Sequence, residues 1–412
     1  MTPFPKFGDR KNLRRIGRLD IPGGGQVTVQ GRYAYVGHME APAGTSVVDL
    51  ADPRRPRLVS HITIPPFMHS HKVRVRGDTM LVNYEDLRRP HPEFTPGLKI
   101  YDISDKTKPR EIAFHRTGGR GVHRFDVDER YAYLSTGLEG YEGYIVQVVD
   151  LADPARPREV SRWWLPGQWT GGGEVYGPEM KGHYCHHPLR LGDRLYTGYW
   201  HAGFVILDVG DLARPRLVSR LDWSPPYPCP THTALPIPHP IRGRRWLVVT
   251  DEEVHLRLAP KPNGFLWIVD ITDETRPIPV ATWRVPNDKP FDPDNWFGAH
   301  QPQEQVYPND NRIFVTWFTA GLRALDIDDP YAPREIGHYV PYPGPGQTRI
   351  HSNDVFLDAD GLIYLIDRFN GLDILEWTPG SPRAVGSPDR KAGTKASQRQ
   401  ARKAPRQRRQ RP

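Results

Sequence analysis

Histidine recurs in this chain at one kind of position. Short apolar runs open with it: His71 in "HKV", His123 in "HRF", His187 in "HPL", His232 in "HTA" and His300 in "HQP". Another opening, "HSNDV", set against "HSHKV", matches His351 to His69 and Asn353 to His71. The densest case is "GHYCHHPLRLG" (182–192), which packs His183, Cys185, His186 and His187 into five residues. Imidazole nitrogen is a borderline-soft donor. Four at about 2.0–2.1 Å complete a zinc shell, and copper and iron accept the same donors. The pattern predicts a metal centre drawn from His71, His123, His187, His232, His300 and His351, with four or fewer used. His69, His186 and His201 stand in reserve. The expected ion is a divalent transition metal: copper, iron or zinc.

Converging six histidines needs a repeat, and the sequence has one. "TSVVDLADPRRPRLVSHI" recurs in altered form around Asp102, Asp150, Asp208, Asp270 and Asp326, at separations of 53, 48, 58, 62 and 56 from Asp49 onward. Each copy is a β-branched run, a proline-bearing turn and a second alternating run, which is a hairpin pattern. Upstream of each lies another strand pair, such as "HRFDVDERYAYLST". Four strands in about 50 residues is the size of a propeller blade. A last unit, "HSNDVFLDADGLIYLIDRFNGLDILEWTP", supplies three strands and stops. "LRRIGRLDIP" (13–22) reads like the outer strand of other units and would complete it. The expected fold is an all-β, seven-bladed propeller of four-stranded blades, closed by that N-terminal strand. Residues 1–12 form a lead-in, 13–378 the propeller and 379–412 a disordered basic tail.

In a propeller the innermost strands line the channel, so histidines at their starts gather at one mouth. Loops expected on the same face carry Glu85, Glu139, Glu142, Trp200, Asp251, Glu252, Glu253, His255, Trp317 and Arg368. Asp354 and Glu304 follow the inner histidines as candidate partners that orient imidazoles. Two long Trp- and Gly-rich segments, 163–182 and 283–303, read as lids over the mouth. A different reading of the same parity packs these histidines between blades as hydrogen-bonded core residues. Cys185 reads more simply as a small buried thiol than as a soft ligand.

The hydrophobic run followed by "VD[LI]xDPxxPR" and a further strand resembles the LVIVD-repeat β-propeller family, over roughly residues 13–378. That resemblance implies fold and no particular activity. More distantly, a histidine-lined channel is similar to seven-bladed propellers of the selenium-binding protein and methanethiol oxidase type, which use histidine-bound copper. It is also similar to the carotenoid cleavage oxygenases, with four histidines on iron. The cysteine motif of the former is absent here, and no long segment matches the latter.

Bulk composition bounds the rest. The formal net charge of +8 is concentrated in residues 379–412, where eleven Lys/Arg face one Asp, so the other 378 residues carry −2. The tail has no aromatic residue and cannot offset its ordering entropy by burial. It is expected to touch nucleic acid only non-specifically, through charge. Two cysteines without framework spacing exclude a disulfide scaffold. With neither an apolar leader nor an 18-residue apolar run, the expectation is a cytoplasmic protein without a membrane span. No GxSxG, P-loop or HExxH motif is present. Two functions fit: a metal-dependent enzyme, an oxidoreductase rather than a hydrolase, acting on a small molecule; or a non-catalytic scaffold that binds a protein partner on its loop face. The catalytic residues are not identified by the sequence.

Overall fold

The structure, a computed structural model, describes residues 6–86, 94–253, 264–286, 296–369 and 371–378. It is an all-β propeller. Among the described residues there is no α-helix, only two short 3-10 turns at Thr170–Gly172 and Pro178–Met180. Among these residues no helix is long and apolar enough to cross a membrane. The basic segment 379–412 lies outside the described residues, as do His255 and residues 287–295 of the expected second lid.

The recurring aspartates explain the repeat physically. Each first aspartate ends a strand and accepts the backbone N–H two residues on. Ala51, Ser104, Ala152, Gly210, Thr272 and Asp328 donate to Asp49, Asp102, Asp150, Asp208, Asp270 and Asp326 at 2.8–2.9 Å. The second aspartate of each turn repeats the device, as in Arg54 N–H to Asp52 at 3.0 Å. These bonds satisfy turn amides that would otherwise lack partners. The strands they connect are almost wholly buried on the inside: Ala43–Asp49 and Leu266–Asp270 bury every residue.

Seven separate blades are not what forms. Five four-stranded sheets are present, and Met68–Trp163 folds as one nine-stranded sheet. The cause is the strand Thr79–Asp86, which runs past its own partners. Its end pairs with Met68 and His69 on one side and with Gly121 on the other. The overrun keeps Glu85 inside the molecule, against His123. A second departure lies at 300–306. Here the chain forms no regular strand: it keeps the Pro302–Val315 bridge and bonds such as Gln303 N–H to Phe314 O at 2.8 Å, and Pro302 removes one ladder donor. The sheet holding Arg312–Thr316 instead takes its fourth strand from Arg10–Lys11, paired with Tyr339 and His338.

The chain ends meet. Leu13–Leu19 pairs antiparallel with Leu372–Trp377, from Leu13 opposite Trp377 to Leu19 opposite Leu372. Leu13 is buried with Phe314, Tyr339 and Leu375.

Candidate metal centre

At the inner segments the chain slips by one residue against its neighbour. The slips fall between Gly24 and Gln26, Val122 and Arg124, Thr231 and Thr233, and Ser352 and Asp354. The skipped residues are Gly25, His123, His232 and Asn353. Such a bulge breaks the two-residue alternation of a strand and re-aims a side chain. In 182–192 the N–H of His186 donates to Gly198 O while His187 pairs with the same glycine, so His186 takes the skipped position. The N–H of His300 donates to Thr316 O at 2.9 Å in the same way. With that pairing known, the matching tripeptides are His300-Gln301-Pro302 and His186-His187-Pro188. One step further along each segment come Gln26, Lys72, Arg124, His187, Thr233, Gln301 and Asp354, all buried.

The result is a continuous arc of imidazoles. His69 stacks on His71 with centroids 3.9 Å apart, His71 lies 5.0 Å from His123, and His123 lies 4.8 Å from His186. The arc continues through His232 at 4.4 Å and His300 at 4.1 Å. Two groups within it bring three donor atoms to within 4.8 Å of one another: His69, His71 and Glu85; and His186, His232 and Glu252. Every one of these six residues is buried.

Hydrogen bonds assign the nitrogens. His69 Nδ1 faces Met39 O at 2.9 Å, His186 Nδ1 faces His232 O at 3.0 Å, and His300 Nδ1 faces Asn353 O. A carbonyl only accepts, so each Nδ1 carries the proton and each Nε2 presents its lone pair. His123 Nδ1 donates to the Glu85 carboxylate at 2.8 Å. His123 Nε2 and His186 Nε2 then meet at 3.0 Å, a spacing that needs a proton or a metal cation shared between them. Fixing Nδ1 on a carbonyl or carboxylate is also how metal-bound imidazoles are oriented.

Burial keeps most of the imidazoles neutral. Burial pulls His69 down to about 4 and holds His71, His186, His232 and His300 well below the ordinary histidine value. Burial pushes Glu85 up, but His123 and the Tyr144 hydroxyl, which donates to it, hold it below its usual value. Glu252 is raised by burial, against the opposing pull of Arg368. Beneath the arc Lys72 Nζ donates to Gly25 O at 3.1 Å, and burial drives this amine towards its neutral form. Arg124 donates to Gln301 Oε1 at 2.7 Å, and its Nε has no hydrogen-bond partner.

The remaining sequence candidates sit elsewhere. His187 lies one layer below the arc, with Nδ1 3.2 Å from Thr233 Oγ1 and Nε2 3.4 Å from a Glu304 oxygen. His351 is boxed by Trp296 at 5.2 Å and Phe369 at 5.0 Å, and Phe318 lies against both it and His300. His201 packs on Trp200, which in turn stacks on His186. Asp354 accepts Val27 N–H at 2.9 Å instead of orienting an imidazole. Cys185 is buried in the apolar cluster with Tyr133 and Val146. The first expected lid is tied down: Gln168 Nε2 donates to Glu142 O, Tyr144 O and His183 O.

Gly25, the one inner position without a polar side chain, makes room for the arc. A Cβ there would stand 2.6 Å from His71 Cβ and 2.8 Å from His71 O. Gly25→Ala is expected to destabilise the protein by about 1–3 kcal/mol, the usual range for overpacking. Urea unfolding of the two proteins measures this, and equal midpoints would show that His71 yields freely.

The LVIVD repeat matches residues 24–63 and 191–222. No curated protein matches at the sequence level. Similar solved structures share the fold at low identity. The N-terminal domain of Nup159 is 10% identical with a TM-score of 0.53, covering 91% of this chain and 97% of that one. Sqt1 of Saccharomyces cerevisiae is 7% identical with a TM-score of 0.52, covering 90% and 88%. A chain from the S. cerevisiae structure of Dbp5 bound to Nup159, Gle1, IP6 and ADP is 9% identical with a TM-score of 0.54, covering 90% and 96%. At these identities the likeness speaks for the propeller alone.

Proposed function

We propose that this chain, an LVIVD-repeat propeller with two His/Glu groups at one mouth of its channel, binds transition-metal ions in the histidine arc and is a metal-dependent oxidoreductase for a small molecule. The observation that carries the reading is the approach of His123 Nε2 and His186 Nε2 to 3.0 Å, with both Nδ1 atoms already committed. His69, His71 and Glu85 would hold one ion and His186, His232 and Glu252 another, with His123 between them. Neutral imidazoles with one carboxylate suit copper, iron or zinc. A copper or iron ion there would supply one-electron or Lewis-acid chemistry.

The chain's own groups have distinct tasks. Glu85 holds the His123 Nδ1 proton and accepts the Tyr144 hydroxyl, so three side chains share one buried charge. A cavity of about 270 Å³, lined by Glu40, Pro66, Phe67, Met68 and His69, gives a small substrate access to the His69 end of the arc.

The test is elemental analysis of the full chain purified without a histidine tag. One to two equivalents of copper, iron or zinc per chain are expected. A chain that carries none, and takes up none when dialysed against each metal, ends the metal reading and leaves the scaffold.

A further inference from the structure

A second cavity, of about 260 Å³, adjoins the one beside His69, and Met39 and Glu40 belong to the walls of both. His351, left out of the arc, stands in its wall with Trp296 and Phe369. So do two guanidinium groups, those of Arg349 and Arg368.

Both guanidinium groups lie over ring faces. Arg368 Cζ is 4.9 Å from the Trp296 centroid and 5.6 Å from that of Phe318, and Arg349 Cζ is 4.6 Å from that of Phe369. Stacking uses the flat face of the cation and leaves its in-plane N–H fork for a ligand, and that fork matches a carboxylate bidentately. Neutral groups hold Arg368 in place. Its backbone N–H donates to His351 O at 2.9 Å, and its Nε donates to Asn353 Oδ1 at 2.5 Å. The Asn353 amide is fixed in that sense, because its Nδ2 donates to Gly25 O.

Glu252, Asp367 and Glu40 act on Arg368 through space, and among the described residues none of them pairs with it directly. Glu252 faces His186 and His232, and Asp367 accepts the backbone N–H of Phe369 at 3.0 Å. Only Glu40 lines the cavity, so its described wall carries two cations against one carboxylate. In a ring-lined recess that excess charge acts more strongly on an anion than it would in open water.

We infer that this cavity binds a small organic monocarboxylate, with its carboxylate on the Arg368 and Arg349 guanidinium groups and its apolar part against Met39, Trp296 and Phe369. Across the shared Met39–Glu40 wall lies His69, so the same anchor presents the rest of the molecule to the arc. Only that last step, in which the ligand is the substrate, rests on the metal reading. The binding of a carboxylate by two guanidinium groups does not.

Isothermal titration of the full chain tests it, first stripped of metal by a chelator and then loaded with zinc, which is redox-inert. The probes are acetate, pyruvate, benzoate and phenylacetate, each beside its neutral amide. At least one carboxylate is expected to bind the metal-free chain about 10-fold or more tighter than its amide, in line with a charge-assisted bidentate contact. Arg368→Gln and Arg349→Gln should each weaken that carboxylate about 10-fold or more and leave the amide within about twofold. If Arg368→Gln melts early, Arg349→Gln alone decides, since Arg349 is only half-buried. Amides that bind as tightly as their acids, a panel with no Kd below about 10 mM, a carboxylate that binds only the zinc-loaded chain, or an affinity that neither variant changes would overturn the inference. The metal reading fails separately. A carboxylate bound by a chain that takes up no copper, iron or zinc keeps the site and removes its substrate role. A chain that takes up metal and shows no preference for the acids loses the site and keeps the metal.

Discussion

Replacing His186 and His232 together with alanine is expected to strip the metal from the group they form with Glu252. Metal content should fall by about one equivalent per chain, and affinity at that group by more than about 100-fold. Losing even one orienting partner outside the ligand set commonly costs 10–100-fold. The double change also leaves Glu252 as the last residue of its group, with His300 Nε2 3.6 Å away. The metal's share of stability goes with it, about 2.7 kcal/mol if the free ion stands at a hundred times its Kd. Equilibrium dialysis followed by elemental analysis reads the first effect, and a melt with and without metal reads the second. His183→Ala is the control, since His183 is only half-buried and lies outside the arc. A double variant that keeps its full metal content would place the ion elsewhere and remove the basis of the proposed activity.

Deleting residues 1–20 should abolish the cooperative fold. The strand Leu13–Leu19 is the outer partner of Leu372–Trp377, and among the described residues no other strand pairs on that side. Without it a row of backbone donors and acceptors is left open, a template for association between chains. Buried charge adds to the damage. Asp373 accepts from Arg18 at 3.2 Å and from the Tyr339 hydroxyl at 2.9 Å, and its side chain is only 4% exposed. Removing Arg18 and Arg15 leaves that carboxylate paired only with a phenol. Breaking one side of a buried ion pair typically costs about 3–5 kcal/mol. Leu13→Ala tests the same contact gently and should cost about 2–5 kcal/mol, the range for a large-to-small change in a core. Soluble yield and a denaturation curve read both. A truncated chain that stays soluble with an unshifted transition would show that the ends hold the ring together without this strand.

Some of this protein is decided locally, and that part is legible in the amino-acid order. The recurring aspartate turns are one case: a carboxylate reaching an N–H two residues on needs no distant partner, so all-β hairpins and their repetition follow from neighbours alone. The match of 13–22 to other outer strands is similar, because alternation and turn chemistry mark a strand by themselves. What the histidines meet is decided otherwise. A bulge shifts a side chain without altering composition, and "HHP" does not say which histidine is skipped until the pairing with Gly198 is made. Hence His186, not His187, joins the arc. Glu85 and Glu252 face the imidazoles only because neighbouring strands overrun or end beside them. Phe318, set between His300 and His351, keeps the latter out. The fusion of 68–163 into one sheet has the same origin, since a strand's length past its last partner depends on what lies beyond it. Turns answer to their own residues. Registers, bulges and buried charges answer to segments tens of residues away, and only the closed tertiary structure brings those into contact.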